Sequence, residues 1–471
     1  MRLNPLSNDR IKAADSSIRD RVAGTRALEI WAFVLPAISF LEVKLVGRLI
    51  VSELLALALL PWLLRSQDRL RIPRWLIGLG VAWLVFQIIT DIVVRSAFAD
   101  WTRGWAAIVF TLIDLLALLV LVATPRRARI FATGLAAGGL LGYVFAPNPY
   151  AATDPWKWAF AIPVAFLLAA LVSGPAAARR PWLAVVAFAA VGVINAFLLF
   201  RSLSGVALIT ATYLLFAIVA GRLRDARVPE PARSAAGVAF YGAAALAVFV
   251  GLNTAAASGL LGEAARTKFD AQAGVTAPSA SPIIGTSAAP GSSPVVGSGP
   301  AGSPTPAPVS NPIGVLAGGR SELLTSPRAI LDSPILGHGS WAKDARYVEL
   351  QRQGLIELGV PNGNEPTDPT LIPTHSYLLG SWVWAGLGGG LFWLAVVLLA
   401  VWMIARIYVV RPALSPLIVF STTFLLWNIA FSPYGNTQRL FATFGIAVCL
   451  LGLRLLGEDA STPATPVERG A

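Results

Sequence analysis

Charge is scarce in this chain of 471 residues. Asp, Glu, Lys and Arg together make up 13% of it, about half the share found in a soluble domain. Cysteine is scarcer still: Cys449 stands alone, so no internal disulfide forms and the redox compartment stays open. Two histidines, His338 and His375, with no second cysteine are too few for a zinc centre. The sequence holds no Walker A loop, no H-E-x-x-H, no C-x-x-C, no G-x-S-x-G and no D-x-D pair, so the usual signatures of nucleotide, zinc, thiol and serine chemistry are missing. Apolar residues, in contrast, make up 56%, and the mean hydropathy is +0.68. Together these values exclude a soluble globular enzyme, a disordered chain and a disulfide-rich scaffold.

A bilayer span needs roughly 20 apolar residues. Hydropathy places twelve such segments, at 27–43, 47–64, 74–94, 104–124, 129–146, 156–173, 182–200, 203–221, 235–256, 374–404, 413–431 and 437–455. The expected fold is an all-α polytopic membrane protein with about 12 transmembrane helices. The first 26 residues are polar and basic, without the small-residue site of a cleavable signal peptide. With the N-terminus inside, 23 of the 37 lysines and arginines fall on inner segments, and short outer segments hold 7. That bias predicts both termini in the cytoplasm. The net charge of +12 then reads as a topology signal, and no nucleic-acid partner is expected.

The chain divides into a cytoplasmic tail (1–26), nine spans (27–256), one long outer loop (257–373), three spans (374–455) and a second cytoplasmic tail (456–471). Within the loop, residues 271–311 are a Pro/Gly/Ser/Ala tract without aromatics or charges, which predicts disorder. Residues 312–373 show helical spacing of Leu, Ile and Val and predict two short amphipathic helices over the outer face.

The candidate chemistry lies at the edges of this loop. His375, where the loop enters the tenth span, can accept a proton near neutral pH; a helix cap or a headgroup contact explains it equally. Arg201, beside Ser202, Ser204 and Gly205, offers a fork of donors suited to phosphate, or it snorkels to the interface. Arg320 follows Gly318 and Gly319, and Gly337 and Gly339 flank His338; glycines before a helix can cradle an anion or simply make a turn. Arg328, two turns beyond Arg320, could add a phosphate contact. Tyr377 and the turn holding Tyr434, Asn436, Gln438 and Arg439 could meet a sugar. Glu53, Asp91 and Asp114 fall inside spans, where acids are costly and are functional candidates by default; a structural role is the simpler reading, with Arg48 as one partner for Asp114.

The order of these pieces is more specific than any of them. Arg201-Ser202-Leu203-Ser204-Gly205 opens a span. A long loop follows, then Gly319-Arg320 through Pro334-Ile335-Leu336-Gly337-His338-Gly339, then His375-Ser376-Tyr377 at the next span. This resembles the bacterial O-antigen ligase and O-antigen polymerase family of polytopic glycosyltransferases, most closely over residues 200–390. The tract 271–311 reads as an insertion into that pattern, and the tryptophan often found after the loop arginine is absent. The resemblance implies transfer of a glycan from an undecaprenyl-diphosphate carrier to a lipid or glycan acceptor hydroxyl, at the outer face of the cytoplasmic membrane. It implies no metal and no cofactor, with membrane lipids as surroundings. Arg201 and Arg320 would hold the diphosphate and His375 would serve as general base, with Arg328, Tyr377, His338 and Arg439 as further candidate substrate contacts. A secondary transporter or lipid flippase is the rival reading, and a membrane scaffold using the Pro-rich tract is a third.

Overall fold

The computed structural model describes residues 25–45, 47–65, 72–222, 229–273, 320–358, 368–407 and 414–461. The predicted N-terminal tail up to residue 24, nearly all of the tract 271–311, Gly318 and Gly319 lie outside them. The described chain is almost wholly helical. Helix α1 covers residues 25–37, followed by a two-stranded antiparallel hairpin, β1 (Glu42–Leu45) and β2 (Gly47–Ile50). Then come α2 (Val51–Arg65), α3 (Arg74–Val94), α4 (Phe98–Leu121), α5 (Pro125–Phe145), α6 (Ala161–Val172), α7 (Pro175–Ala178), α8 (Trp182–Phe197), α9 (Arg201–Arg222), α10 (Glu230–Ala257) and α11 (Glu263–Ala273). After Arg320 follow a 3-10 turn (Ser321–Leu324), α12 (Ser326–Asp332), α13 (Ala345–Glu357), α14 (Tyr377–Ile407), α15 (Ser415–Phe431) and α16 (Asn436–Ser461).

Each of the twelve hydropathic segments contains a helix. Seven helices among the described residues are long and apolar enough to cross a bilayer, and three more are shorter but apolar: Trp156–Val172, Trp182–Phe197 and Ser415–Phe431. At 1.5 Å of rise per residue, eighteen residues cover most of the hydrocarbon thickness. The chain therefore has the architecture of a multi-pass, all-α membrane protein. The first predicted span is cut short. Helix α1 ends after residue 37, next to Pro36, and the hairpin takes over where 27–43 and 47–64 were expected to run as helices. The loop segment carries short helices, and α11 is one that the hydrophobic pattern did not predict: its sequence EAARTKFDAQA is polar apart from Phe269 and the alanines.

Packing follows from small residues and aromatics. Helix α14 lies against α3, and α8 against α9. Trp83, Phe392, Trp393 and Tyr434 stack and tilt on one another in the middle of the bundle. Phe166 gathers Phe420, Phe424, Phe441 and Phe444 around it.

One helix is broken. Gly386 in α14 has φ 55° and ψ −141°, a conformation open to glycine and strained for side chains that carry a Cβ. The break exposes backbone groups in apolar surroundings, where each unpaired group costs several kcal/mol. The loop supplies their partners. His338 N donates to Val383 O at 2.7 Å, Gly339 N to Trp384 O at 3.0 Å, and Leu387 N donates to Ile335 O at 3.0 Å. Gly337, at φ 79°, lies so close that a methyl on it would overlap Gly386 N and the Val383 and Trp384 carbonyls. Trp382 Nε1 donates to Pro334 O at 2.9 Å, and Thr90 on α3 donates to Leu336 O.

Asp91, at the end of α3, completes the anchor. Its carboxylate accepts from Ser340 N (2.6 Å), Ser340 Oγ (2.7 Å), Ser96 Oγ (2.7 Å) and Trp105 Nε1 (2.8 Å). The acid that the sequence left between a functional and a structural role is thus a clamp for the loop. Its hydrogen bonds are charge-assisted, the stronger kind.

A methyl at residue 386 would overlap the Ile335 carbonyl, whereas one at Gly78 on α3 meets nothing within 4 Å. Gly386→Ala is therefore expected to cost about 2 kcal/mol or more and to open the 334–340 turn to protease, while Gly78→Ala leaves both unchanged. Thermal unfolding and limited proteolysis in detergent check this, and equal behaviour of the two variants would contradict the docking of the turn into α14.

A cationic cavity at the loop end of the bundle

Three helix ends and two loop segments meet on the side of the bundle that carries the long loop. Helix α8 stops at Phe197, and the chain turns through Leu199, which takes φ 59°. It re-enters as α9 at Arg201. Asn195, fully buried, fixes this turn. Its backbone oxygen accepts from Phe200 N at 2.9 Å, its side-chain nitrogen donates to Val191 O at 2.8 Å, and its Oδ1 accepts from Trp156 Nε1 at 3.0 Å. Trp156 opens a single π turn, Trp156–Phe160, a local irregularity often found at functional sites. That turn presents Lys157, whose Nζ lies 4.8 Å from the Trp158 ring centre. One asparagine therefore sets the positions of both Lys157 and Arg201.

Lys157, Arg201, Lys268 and Arg320 line a single cavity of about 250 Å³. Most of its remaining wall is apolar, with Ala245, Val248, Phe249 and Leu252 from α10 and Trp427 and Phe431 from α15, and α10 also contributes Asn253. Lys268 is carried by α11, which seats Phe269 against Ala256 at the end of α10. Arg320 rests on the Phe431 ring, with 5.9 Å from its guanidinium carbon to the ring centre. Ser202 and Gly205 from the first turns of α9 complete the lining, so the positive end of a helix dipole also faces the space.

His375 is not among the residues that line this cavity, but it lies close enough to Arg320 to feel its charge. Pro373 is tied to α12 by the Ser326 hydroxyl (2.9 Å). Ser376 caps α14, accepting from Leu379 N at 3.0 Å while it donates to Ile429 O at 2.7 Å. His375 is thus held between two fixed neighbours, with Arg320 and Ser376 both resting on the last turns of α15. The residue as a whole is exposed to solvent. Crowding by protein atoms, followed by the charge on Arg320, pushes the imidazole down to about 4. It is neutral at physiological pH and able to accept a proton.

The other charges in and around the cavity respond to the same crowding. Burial lowers Lys268, and the charges of Lys157 and Arg201 add to that effect against Asp154. Burial also lowers Arg320, with Glu322 opposing, and it raises Glu322. Four basic side chains gathered with two nearby acids, in a space that discourages cations, form a site that favours an anion.

Several candidate contacts lie elsewhere. Arg439 does not reach this cavity: it is 4% exposed and its Nε and Nη2 donate to Glu53 at 2.6 and 2.8 Å, a buried ion pair deep in the bundle. Tyr377 is buried, not interfacial. Its hydroxyl donates to Gln438 Oε1 at 2.9 Å, and its ring packs on Trp393 and Tyr434, which removes it from sugar contact. Arg328 is exposed and pairs with Asp332 at 3.2 Å, one turn along α12. His338 hydrogen-bonds Ala329 O at 2.8 Å and meets the Tyr347 ring edge-on, so it braces the loop. Asp114, fully buried on α4, has no hydrogen-bond partner on either carboxyl oxygen and feels the Glu53–Arg439 pair. Arg48's side chain lies outside the described residues. Sequence reasoning overlooked Lys157, Lys268 and Asn195. Lys157 counts in sequence only as one of the outer charges of the topology comparison and Lys268 only as one of the charges of the long loop, and the one local signal is the W-K-W triplet at 156–158.

No family model matches the chain, and no curated protein and no solved structure matches it.

The Glu53–Arg439 pair generates a test of its own. Breaking one partner of a buried pair typically costs about 3–5 kcal/mol, whereas replacing both by apolar residues is often neutral. Arg439→Met is expected to lower the melting temperature sharply, and Glu53→Leu combined with Arg439→Met to recover most of the loss. A double-mutant cycle measures the coupling.

Proposed function

We propose that this protein is a membrane glycosyltransferase of the O-antigen ligase/polymerase type. It would transfer a glycan from an undecaprenyl-diphosphate carrier to an acceptor hydroxyl at the outer face of the cytoplasmic membrane. The observation that carries the reading is that Arg201 and Arg320, far apart in sequence, line one cavity with a largely apolar wall, with His375, outside that lining, near enough to feel the charge on Arg320. A lipid diphosphate matches both halves of such a cavity: anion against guanidinium forks, tail against the α10 face.

The chemistry follows from the groups. His375 takes the proton of the acceptor hydroxyl as its oxygen bonds to the anomeric carbon. The bond from that carbon to the diphosphate oxygen breaks, and its electron pair leaves on the prenyl diphosphate. Charge grows on the departing oxygens, where Arg201 and Arg320 stabilise it. This chemistry uses the chain's own side chains. The acceptor, lipid core or second lipid-linked glycan, is selected elsewhere on the loop face.

A second reading, a transporter or flippase, draws on the intramembrane group of Glu53, Asp114 and Arg439 and on the broken helix α14, both features of transport proteins. Purified protein, an undecaprenyl-diphosphate oligosaccharide and a panel of acceptors separate the two. Under the first reading, His375→Ala lowers transfer about 10²–10⁴-fold and Arg320→Ala about 10²–10³-fold, without loss of folding. Carrier movement across liposomes with no glycan transfer to any acceptor would favour the second.

The depressed histidine sets the pH profile. A base must be unprotonated, and His375 in the free protein loses its proton near 4. kcat/KM should therefore be flat from about pH 6 to 8 and fall as pH drops toward about 4. A descent centred near 6.5, the ordinary histidine value, would contradict the assignment.

A further inference from the structure

The cavity holds twice as many cations as the arginine clamp requires, and they are ordered. Lys268 stands on α11, docked at the end of α10, and feels Lys157 and Arg201, whereas Arg320 rests on Phe431 at the end of α15, where Ser376, next to His375, also bonds Ile429. The sequence of charges thus runs from Lys157 and Lys268, past Arg201, to Arg320 and the histidine. Resting on the function proposed above, we propose that Lys157 and Lys268 seat the prenyl-side phosphate of the donor, so that the glycan-side phosphate lies at Arg320 beside His375. The four cations then read a diphosphate in one orientation and discriminate against a prenyl monophosphate.

Three observations support this beyond the charges themselves. Both lysines are set in place by local structure. Lys157 is held by the π turn that Asn195 anchors through Trp156, and Lys268 by α11, docked through Phe269. The apolar wall formed by Val248, Phe249 and Leu252 comes from α10, the same helix on which α11 rests. The tail therefore departs along the helix that carries the lysine end of the row. Moreover, α10 is the least buried of the long apolar helices, with 11% of its apolar window covered by protein, which leaves its face open to a lipid chain entering from the side. A single phosphate engages only part of this row. A diphosphate spans it, and only one direction places the reacting carbon next to the histidine.

Charge balance sharpens the point. Each phosphate of the intact donor is a diester bearing one negative charge. When the glycosidic phosphate bond breaks, the departing prenyl diphosphate gains a further charge on its terminal phosphate, at the Arg320 end. The lysines hold the phosphate whose charge does not change and so fix the donor, while the arginine end meets the charge that develops.

The test uses the full chain in detergent, without glycan or acceptor. Farnesyl diphosphate, farnesyl monophosphate and inorganic diphosphate are titrated calorimetrically against wild type, Lys157→Gln/Lys268→Gln and Arg320→Gln. Wild type is expected to bind farnesyl diphosphate about tenfold or more tighter than the monophosphate, and inorganic diphosphate more weakly than either lipid because the α10 wall is unused. In the double lysine variant both farnesyl ligands should lose affinity about tenfold or more, because the prenyl-side phosphate is common to them, whereas in Arg320→Gln the preference for diphosphate should vanish while monophosphate affinity stays within about threefold; the melting temperature is unchanged in both. Undiminished monophosphate affinity in the double lysine variant overturns the proposal, and so does an equal loss of monophosphate affinity in Arg320→Gln, which would make the four cations a general charge. If either happens while wild type still transfers glycan, the lysine assignment falls and the enzymatic reading stands. If wild type binds no farnesyl ligand, the proposal falls outright, and the transfer assay decides the reading beneath it.

Discussion

A peptide group inside a membrane protein must find a partner within the protein, and the break in α14 makes that rule the organising constraint of this structure. Gly386 interrupts the helix where Val383, Trp384 and Leu387 would otherwise serve one another. Only the turn 335–339 restores their hydrogen bonds. The loop is therefore not laid over the bundle as a cover. It is threaded into one helix of it, and Asp91 and Thr90 on α3 hold the same turn from the other side. Once that turn is fixed, α12 is fixed with it. Ser326 on α12 then positions Pro373 and, through it, His375.

The arginine side of the cavity depends on a different anchor. Asn195 joins the end of α8 to the π turn ahead of α6 and to the entry of α9. Asn195 is itself fully buried and makes three hydrogen bonds, which holds the geometry in place. The two anchors share no residue, yet both deliver cations to the same space, and the end of α15 is where they meet: Phe431 beneath Arg320, and Ile429 accepting from Ser376.

Hydropathy made the helices legible. All twelve segments contain one, because apolar composition over eighteen or more residues leaves the backbone no other way to pair in lipid. What it could not show was where a helix yields to something else. The hairpin at Glu42–Ile50 carries Glu42, Lys44 and Arg48 between two strongly apolar segments, and hydropathy extended a span into each of its strands; α11 is nearly as polar as a surface segment. Arg201, Arg320 and His375 stood out in sequence because each lies at a span edge beside small or polar residues. Lys157 and Lys268 did not, since a single lysine near an interface is ordinary and their proximity exists only after folding. Arg439 and Tyr377 misled for the opposite reason. Their positions at span edges look interfacial, but burial against Glu53 and against Trp393 is a matter of helix rotation, which spacing along one helix does not reveal.

The described chain leaves the cavity on α11, five residues beyond Lys268, and resumes at Arg320, which lines the same cavity. The long insertion in between thus begins and ends at one place, with both ends held by contacts that do not involve it. For a stretch that closes as a flexible loop, the entropy of closure grows only with the logarithm of length, about 0.6 kcal/mol for each doubling. Residues 274–319 could thus be halved or doubled at little thermodynamic cost to the seating of either cation. Length and composition there are free to drift independently of the two cations at its ends.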